Sequence, residues 1–172
     1  MTTTPAPVRF VPLPVPAMTA LLDGDLAGGS ELAGISLTEV FVSEHAQRLW
    51  RRRIDQIAED PSSAPWVAYA VISTETGGVV GYAGFHGPPD ADGMVEIGYT
   101  VAPESRRRGY AKGIVEALLR RAAAEPDVTK VWATISPDNA ASQATIHDFG
   151  FRHIGEQMDD EDGLELIFEV SV

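Results

Sequence analysis

The chain has 172 residues, 44% of them hydrophobic, with 13 Lys and Arg against 25 Asp and Glu for a formal net charge of −12; that length suits one well-buried core, so a single domain over residues 1–172 is expected. It has no cysteine, which excludes a disulfide framework and a thiolate metal site, and its acidic balance argues against nucleic acid as a partner, since phosphate contacts need a basic surface. No apolar run is long enough to span a bilayer, and the start of the chain, with Pro5, Pro7, Pro12, Pro14 and Pro16, lacks the basic lead and continuous apolar core of a signal peptide, so a soluble cytoplasmic protein is expected.

Taken in chain order, residues 8–13 read as a first strand and residues 17–26 as a short helix or turn carrying Met18, Leu21 and Leu22. Ser43 can cap a helix running to about Glu59, with Ala46, Leu49, Trp50, Ile54, Ile57 and Ala58 on one face. Residues 66–73 and 79–85 are apolar runs around Thr76-Gly77-Gly78, the pattern of a hairpin. A Pro/Gly/Asp loop over 86–93 leads to a strand over 94–101, and a helix follows with Ile114, Val115, Leu118 and Ala122 at helical spacing. Residues 128–135 form another strand, with Val131, Ala133 and Ile135 on one face, and Pro137-Asp138 open a helix that Gly150 ends. Two last strands, near 151–157 and 164–170, meet at an acidic turn around Gly163. The sum is an α/β domain, a mixed sheet with helices on its faces.

Between the strand over 94–101 and the next helix lies VAPESRRRGYA, which contains R-x-x-G-x-A at Arg106, Gly109 and Ala111. A strand feeding a glycine turn and then a helix start aims several free N–H groups and the positive end of the helix dipole at one point. That geometry binds phosphate, with Gly109 and Ala111 admitting a pyrophosphate close to the main chain and Arg106, Arg107 and Arg108 adding donors. The alternative is three solvated arginines at the start of an ordinary helix.

Glu96-Ile97-Gly98-Tyr99, the R-x-x-G-x-A turn, and Asn139-Ala140-Ala141-Ser142 running on to Gly150-Phe151 together resemble the GNAT superfamily of acyl-CoA-dependent N-acetyltransferases. In order and spacing they are most similar to its RimJ/RimL branch, which acetylates protein N-termini and includes members of unknown acceptor. The resemblance runs from about Val67 to the C-terminus. It implies a single GNAT-like domain, a mixed, mostly antiparallel sheet of about seven strands flanked by helices on both faces. It implies acetyl-CoA as cosubstrate, with the backbone of Arg107 to Lys112, through Tyr110 and Ala111, holding the pyrophosphate. Tyr99, Thr100 and Val101 would pair with pantetheine like an added strand, though their side chains read equally well as core. A homodimer is also expected from the branch, with Trp50, Trp66 and Trp132 as apolar surface or as core.

Without cysteine an acyl group would pass directly from thioester to a primary amine, on a small molecule or a polypeptide N-terminus. An α-amino group has a pKa of about 8 and a lysine amine about 10.4, so the base need not be strong for an N-terminus. The resemblance makes Glu96 the base, directly or through water, and Ser142 the group that protonates or orients the departing thiol. Asn139 contacts the pantetheine arm or holds its turn. A strand glutamate with a structural partner, and a helix cap for Asn139 and Ser142, are the plain alternatives. RimI-type members place a tyrosine acid seven residues after this asparagine and a glutamate five before it; here those positions hold Ile146 and Thr134, which excludes a tyrosine acid there.

His147 reads as solvated, and His45, His86 and His153 are too scattered for a metal site. The Asp159–Glu165 turn lacks calcium-loop spacing, so no metal is expected. The six acidic residues over 156–165 are read mainly as a solvated turn, with attraction of a cationic acceptor as the alternative. Acceptor specificity would lie in residues 24–42, 86–93 and 158–163, none of which carries a readable code. A non-catalytic acyl-CoA-binding sensor of the same fold keeps Gly109, Ala111 and Asn139 just as well as an enzyme would.

Overall fold

In the computed structural model, which describes residues 3–172, strand β1 (Val8–Pro12) passes through Pro14 into α1 (Val15–Leu22). Pro16 sits in the first turn of α1, where no intrahelical donor is lost. Gly24, at φ +78°, turns the chain into α2 (Leu26–Ala33), capped by Asp25 through the N–H of Gly28 at 2.8 Å and ended by Gly34 at φ +71°. Sequence reading has one short helix here and no second one, because Gly28 and Gly29 weaken the local signal. Gly29 is needed for packing, since a Cβ there would lie 2.7 Å from Leu21 Cδ2.

Helix α3 (Glu44–Glu59) starts where expected, with Ser43 Oγ accepting from the Ala46 N–H at 3.2 Å. Its innermost line differs from the expected face: Ala46, Trp50 and Arg53 are buried, whereas Ala58 is exposed. Trp66 opens no strand; it belongs to the helical turn α4 (Ala64–Val67), where Pro65 fits an N-terminal position. Its ring packs against Phe85, under the Arg121 guanidinium at 5.3 Å. The hairpin then forms as β2 (Tyr69–Ser73) and β3 (Val79–Phe85).

Strand β4 (Met94–Val101) is followed by a short 3-10 turn over Pro103–Ser105, then α5 (Tyr110–Ala124). Next come β5 (Lys130–Ile135), α6 (Ala140–His147), β6 (Arg152–Asp159) and β7 (Gly163–Ser171). The seven strands form one sheet in the order β1-β2-β3-β4-β5-β7-β6. Only β4 and β5 pair in parallel; every other neighbour is antiparallel.

Each face has its own core. Ile114, Val115, Leu118 and Ala122 of α5 and Ile146 of α6 pack on Val95, Ile97, Val131, Ala133 and Ile135 of the sheet. On the other face Met18, Leu21, Phe41, Ala46 and Trp50 cover Ala70 and Tyr82. The period-two alternation of β5 puts Val131, Ala133 and Ile135 on the α5 side, as read from the sequence. Trp50 is core, donating its indole N–H to the Phe41 carbonyl at 2.8 Å, and supplies no apolar surface. Half-buried Trp132 donates to Glu169 at 2.7 Å.

Candidate active site

The parallel ladder between β4 and β5 lasts three residues, ending at Glu96 opposite Trp132. Beyond it, β4 stays paired with β3 from Ile97 to Val101, while β5 stays paired with β7 to Ile135. The edges that face each other across the resulting gap have no strand partner among the described residues, so β4 presents backbone donors and acceptors to the space between. A cleft of about 610 Å³ runs from this gap to the start of α5, lined by Tyr99, Thr100, Val101, Arg106, Arg107, Gly109 to Lys112, Asn139 and Ser142.

At its far end α5 begins on Gly109 with no side-chain cap, leaving the first-turn N–H groups without a side-chain acceptor. Gly109 is at φ +82°, and Arg107, at φ +61°, is the one non-glycine residue with positive φ among those described. Gly109 lines the cleft and is also constrained from within the chain. A Cβ there would lie 2.3 Å from the Thr4 carbonyl oxygen, and one on Gly113 would lie 1.9 Å from that of Ala6. The glycines accommodate the chain's own residues 3–6, anchored by the Ala6 N–H on the Gly109 carbonyl at 3.0 Å.

The basic residues of the turn divide. Arg106 spends its Nε on the Val101 carbonyl at 3.3 Å, Arg107 lines the cleft, and Arg108 is not among its lining residues. Lys112 pairs with Asp148 of the α6 end at 2.5 Å, which holds that carboxyl below its ordinary range. Tyr110 turns its side chain inward to donate to Ser73 Oγ at 3.1 Å, so only its backbone can serve the cleft.

Asn139 caps α6, its Oδ1 accepting from the Ser142 N–H at 3.1 Å. The Ser142 side chain borders the cleft near the Tyr99 hydroxyl, which is buried and makes no hydrogen bond of ordinary geometry. Burial pushes the Tyr99 phenol up, and the hydroxyls of Ser142 and Thr145 pull it partly back. Sequence reading assigned only the backbone of Tyr99.

A second cleft of about 460 Å³ meets the first at Tyr99, Thr100, Asn139 and Ser142. Its walls include Arg52, Arg53 and His45 of α3, Tyr82, His86, Thr134, and Asp162 and Glu165 from the acidic hairpin. That turn is therefore part of a cleft wall, not solely a solvated loop, and Arg52 ties it to α3 through Glu161 at 2.6 Å. Glu96 lies just behind the wall, its side chain 18% exposed, with Oε1 accepting from Thr134 Oγ1 at 2.5 Å and facing His86 Nδ1 at 3.3 Å. Burial pushes its pKa up, but the His86 and Thr134 contacts and the Arg53 charge outweigh that and hold it below 4.5. His86, 40% exposed at its side chain, lines the cleft where its carboxylate partner Glu96 does not. Its Nε2 would be 3.1 Å from a Cβ on Gly98, so the missing side chain at 98 makes room for the imidazole.

An acidic residue held ionised beside an imidazole that lines the second cleft suits proton transfer to and from a bound substrate. No cluster of three or more metal-ligating side chains occurs among the described residues, and no helix there is long and apolar enough to cross a membrane.

A family model described as an acetyltransferase (GNAT) domain matches residues 36–152. The chain belongs to the GNAT acetyltransferase family. The uncharacterized N-acetyltransferase YjdG of Bacillus subtilis is 32% identical over 84 residues, 49% of this chain and 50% of that protein. The chain thus spans about half the length of the curated relatives it matches. Among solved structures, RimJ of Mycobacterium smegmatis, in complex with CoA-disulfide, superposes with TM-score 0.64 at 19% identity, covering 96% of this chain and 86% of that one. Spermidine N-acetyltransferase of Vibrio cholerae, in complex with CoA and spermine, gives 0.65 at 12% identity and covers 95% of each. At these identities the likeness is one of fold: the GNAT fold of a seven-stranded mixed sheet between helices.

Proposed function

We propose that this chain is an acetyl-CoA-dependent N-acetyltransferase of RimJ/RimL-like type, acting as a single domain over residues 1–172 and passing acetyl directly to a primary amine. The observation that carries the proposal is the junction of the two clefts at Tyr99, Thr100, Asn139 and Ser142. One cleft combines an unpaired strand edge with an uncapped helix start, which fits an amide-bearing arm ending in a pyrophosphate. The other carries titratable groups, which fits an amine acceptor. In that arrangement the first-turn N–H groups of α5 and the Arg107 guanidinium meet the pyrophosphate. The free edge of Tyr99 to Val101 pairs with the pantetheine amides.

The neutral amine attacks the thioester carbonyl; the new C–N bond forms, the C–S bond breaks, and the amine proton leaves through His86 to the side of Glu96. Ser142 gives or relays a proton to the departing thiolate. Backbone groups at the cleft junction stabilise the oxyanion. Glu96 is ionised at neutral pH and already engaged with His86, so the pair accepts a proton without prior rearrangement.

Calorimetric titration with acetyl-CoA and CoA, followed by thiol release over a panel of amines and N-terminal peptides, tests this. Micromolar binding with amine-dependent thiol release supports the transferase. Binding without release from any amine would leave a sensor module instead, and failure to bind either nucleotide overturns the reading.

A further inference from the structure

Arg53 is the most unusual charge in the molecule. It lies on the inner line of α3, 6% exposed, yet no carboxylate oxygen lies within 4 Å of it among the described residues. Its Nη1 donates to Gln56 Oε1 at 2.9 Å and, weakly, to the His86 carbonyl at 3.5 Å. Its Nε is fully buried and unpartnered, and its Nη2 donates to no described protein atom. Burial and the neighbouring Arg52 lower its pKa to about 10, with the Glu96 charge partly opposing them. A guanidinium taken out of water without a direct ion pair costs folding free energy, and proteins ordinarily pair or expose such groups; the ionised Glu96 acts on this one only from beyond contact distance.

The position of this charge explains it. Arg53 forms part of the wall of the acceptor cleft, and Tyr82, whose hydroxyl is also buried without a partner, lines the same cleft with its ring against Trp50 of α3. Arg53 and Tyr82 thus border one cavity. The other cation nearby, Arg52, is already spent on Glu161. Arg53 bonds the carbonyl of His86, while the imidazole of the same residue faces Glu96. The cation and the proton acceptor therefore meet at the same residue, one at its carbonyl and the other at its imidazole. Across the cleft, Asp162 and Glu165 supply negative charge toward an ammonium approaching from outside.

Resting on the transferase reading above, we propose that the acceptor is a small amine that also carries a carboxylate close to its nitrogen, an amino acid, and that this carboxylate pairs with Arg53. A planar guanidinium whose Nη2 carries no protein partner offers a carboxylate in the cleft a directed, charge-assisted hydrogen bond. The pairing brings the direct ion pair that the folded chain does not supply, and it sets the amine toward His86. Polyamines, which lack an anion, leave Arg53 unpaired and desolvated beneath them.

The test measures thiol release from acetyl-CoA by the whole protein with matched acceptors: free amino acids, their α-carboxamides and methyl esters, and the corresponding decarboxylated amines. Rates are compared per neutral amine. A site built to bond a substrate group rejects analogues that lack it, so kcat/KM for the acid is expected to exceed that for its carboxamide by about 100-fold or more. Arg53→Gln is expected to bring that ratio to within about threefold of unity, mainly through KM of the acid. If Arg53→Gln does not fold, Arg53→Lys decides the matter: it cuts the ratio roughly tenfold, because an ammonium lacks the fork. A ratio near unity in the wild-type protein, or one left undiminished in either folded variant, overturns the proposal. So does release that occurs with polyamines or peptide N-termini alone, which leaves the transferase reading intact; absence of acetyl-CoA binding overturns both.

Discussion

The pairing of His86 with Glu96 makes a prediction that a lone glutamate base would not. Glu96 Oε1 receives Thr134 Oγ1 at 2.5 Å and faces His86 Nδ1 at 3.3 Å, and of the two only His86 lines the acceptor cleft. Glu96→Gln keeps an oxygen for Thr134 but removes the charge that orients and polarises the imidazole. His86→Ala removes the group through which the proton leaves. General-base assistance is worth about 10²–10⁴ in rate; a partly exposed imidazole belongs at the low end, so each single change is expected to lower kcat about 100-fold, or about 3 kcal/mol. Since both act on one proton path, the double variant should also be down about 100-fold instead of about 10⁴. The assay is thiol release at saturating acetyl-CoA, with CoA affinity measured by calorimetry. Neither residue lines the donor cleft, so CoA affinity should shift by less than about threefold, a small free-energy change. Independent, multiplying losses in the double variant, or single losses within threefold of wild type, would refute a shared relay.

Particular contacts elsewhere carry three more expected outcomes. Gly→Ala inside a helix ordinarily stabilises by about 1 kcal/mol, but Gly113→Ala should lower stability by about 1–2 kcal/mol, because its Cβ would meet a backbone carbonyl that can retreat only by losing the Ala6–Gly109 bond; a raised melting temperature would contradict the packing of residues 3–6. Tyr99→Phe deletes a buried hydroxyl that has the hydroxyls of Ser142 and Thr145 beside it but no hydrogen bond of ordinary geometry, and should change unfolding free energy by less than about 1 kcal/mol in a denaturant titration; a larger loss would contradict that geometry. The folded-state pKa of Glu96 lies below its ordinary 4.5, so the folded chain binds fewer protons there than the unfolded one. That stabilisation is complete above the ordinary carboxylate range and vanishes as pH falls through the lowered value. Wild type should therefore lose more stability than Glu96→Gln between about pH 5 and 3, measured by chemical denaturation; parallel pH profiles would contradict the ionised, hydrogen-bonded state of Glu96.

The elements that could be read directly are those whose signals are local. Ser43 with the apolar spacing of α3, the Gly77-Gly78 hairpin, the alternation of β5 and the strand-turn-helix around Gly109 each declare themselves within a dozen residues, because capping, periodicity and turn conformation depend on near neighbours. Helix α2 was hidden by Gly28 and Gly29, whose place is explained only by the approach of Leu21. Trp66 could pass for strand because an apolar residue beside Pro65 fits a helical turn equally well.

At the candidate site the same division holds. The family motifs around Glu96, Gly109 and Asn139, and the order in which they occur, were legible in the chain alone. That His86, expected in a loop and set aside among scattered histidines, meets Glu96 beside the β3–β4 pairing emerges only from the folded arrangement. So do the burial of Arg53 without a direct ion pair and the capture of Lys112 by Asp148. Folding also brings residues 3–6 over the start of α5 and carries Asp162 and Glu165 into a cleft wall. These are meetings of residues far apart in the chain, set by which strands exchange hydrogen bonds and where the β4–β5 ladder stops, and no local pattern of residue types encodes where a ladder stops.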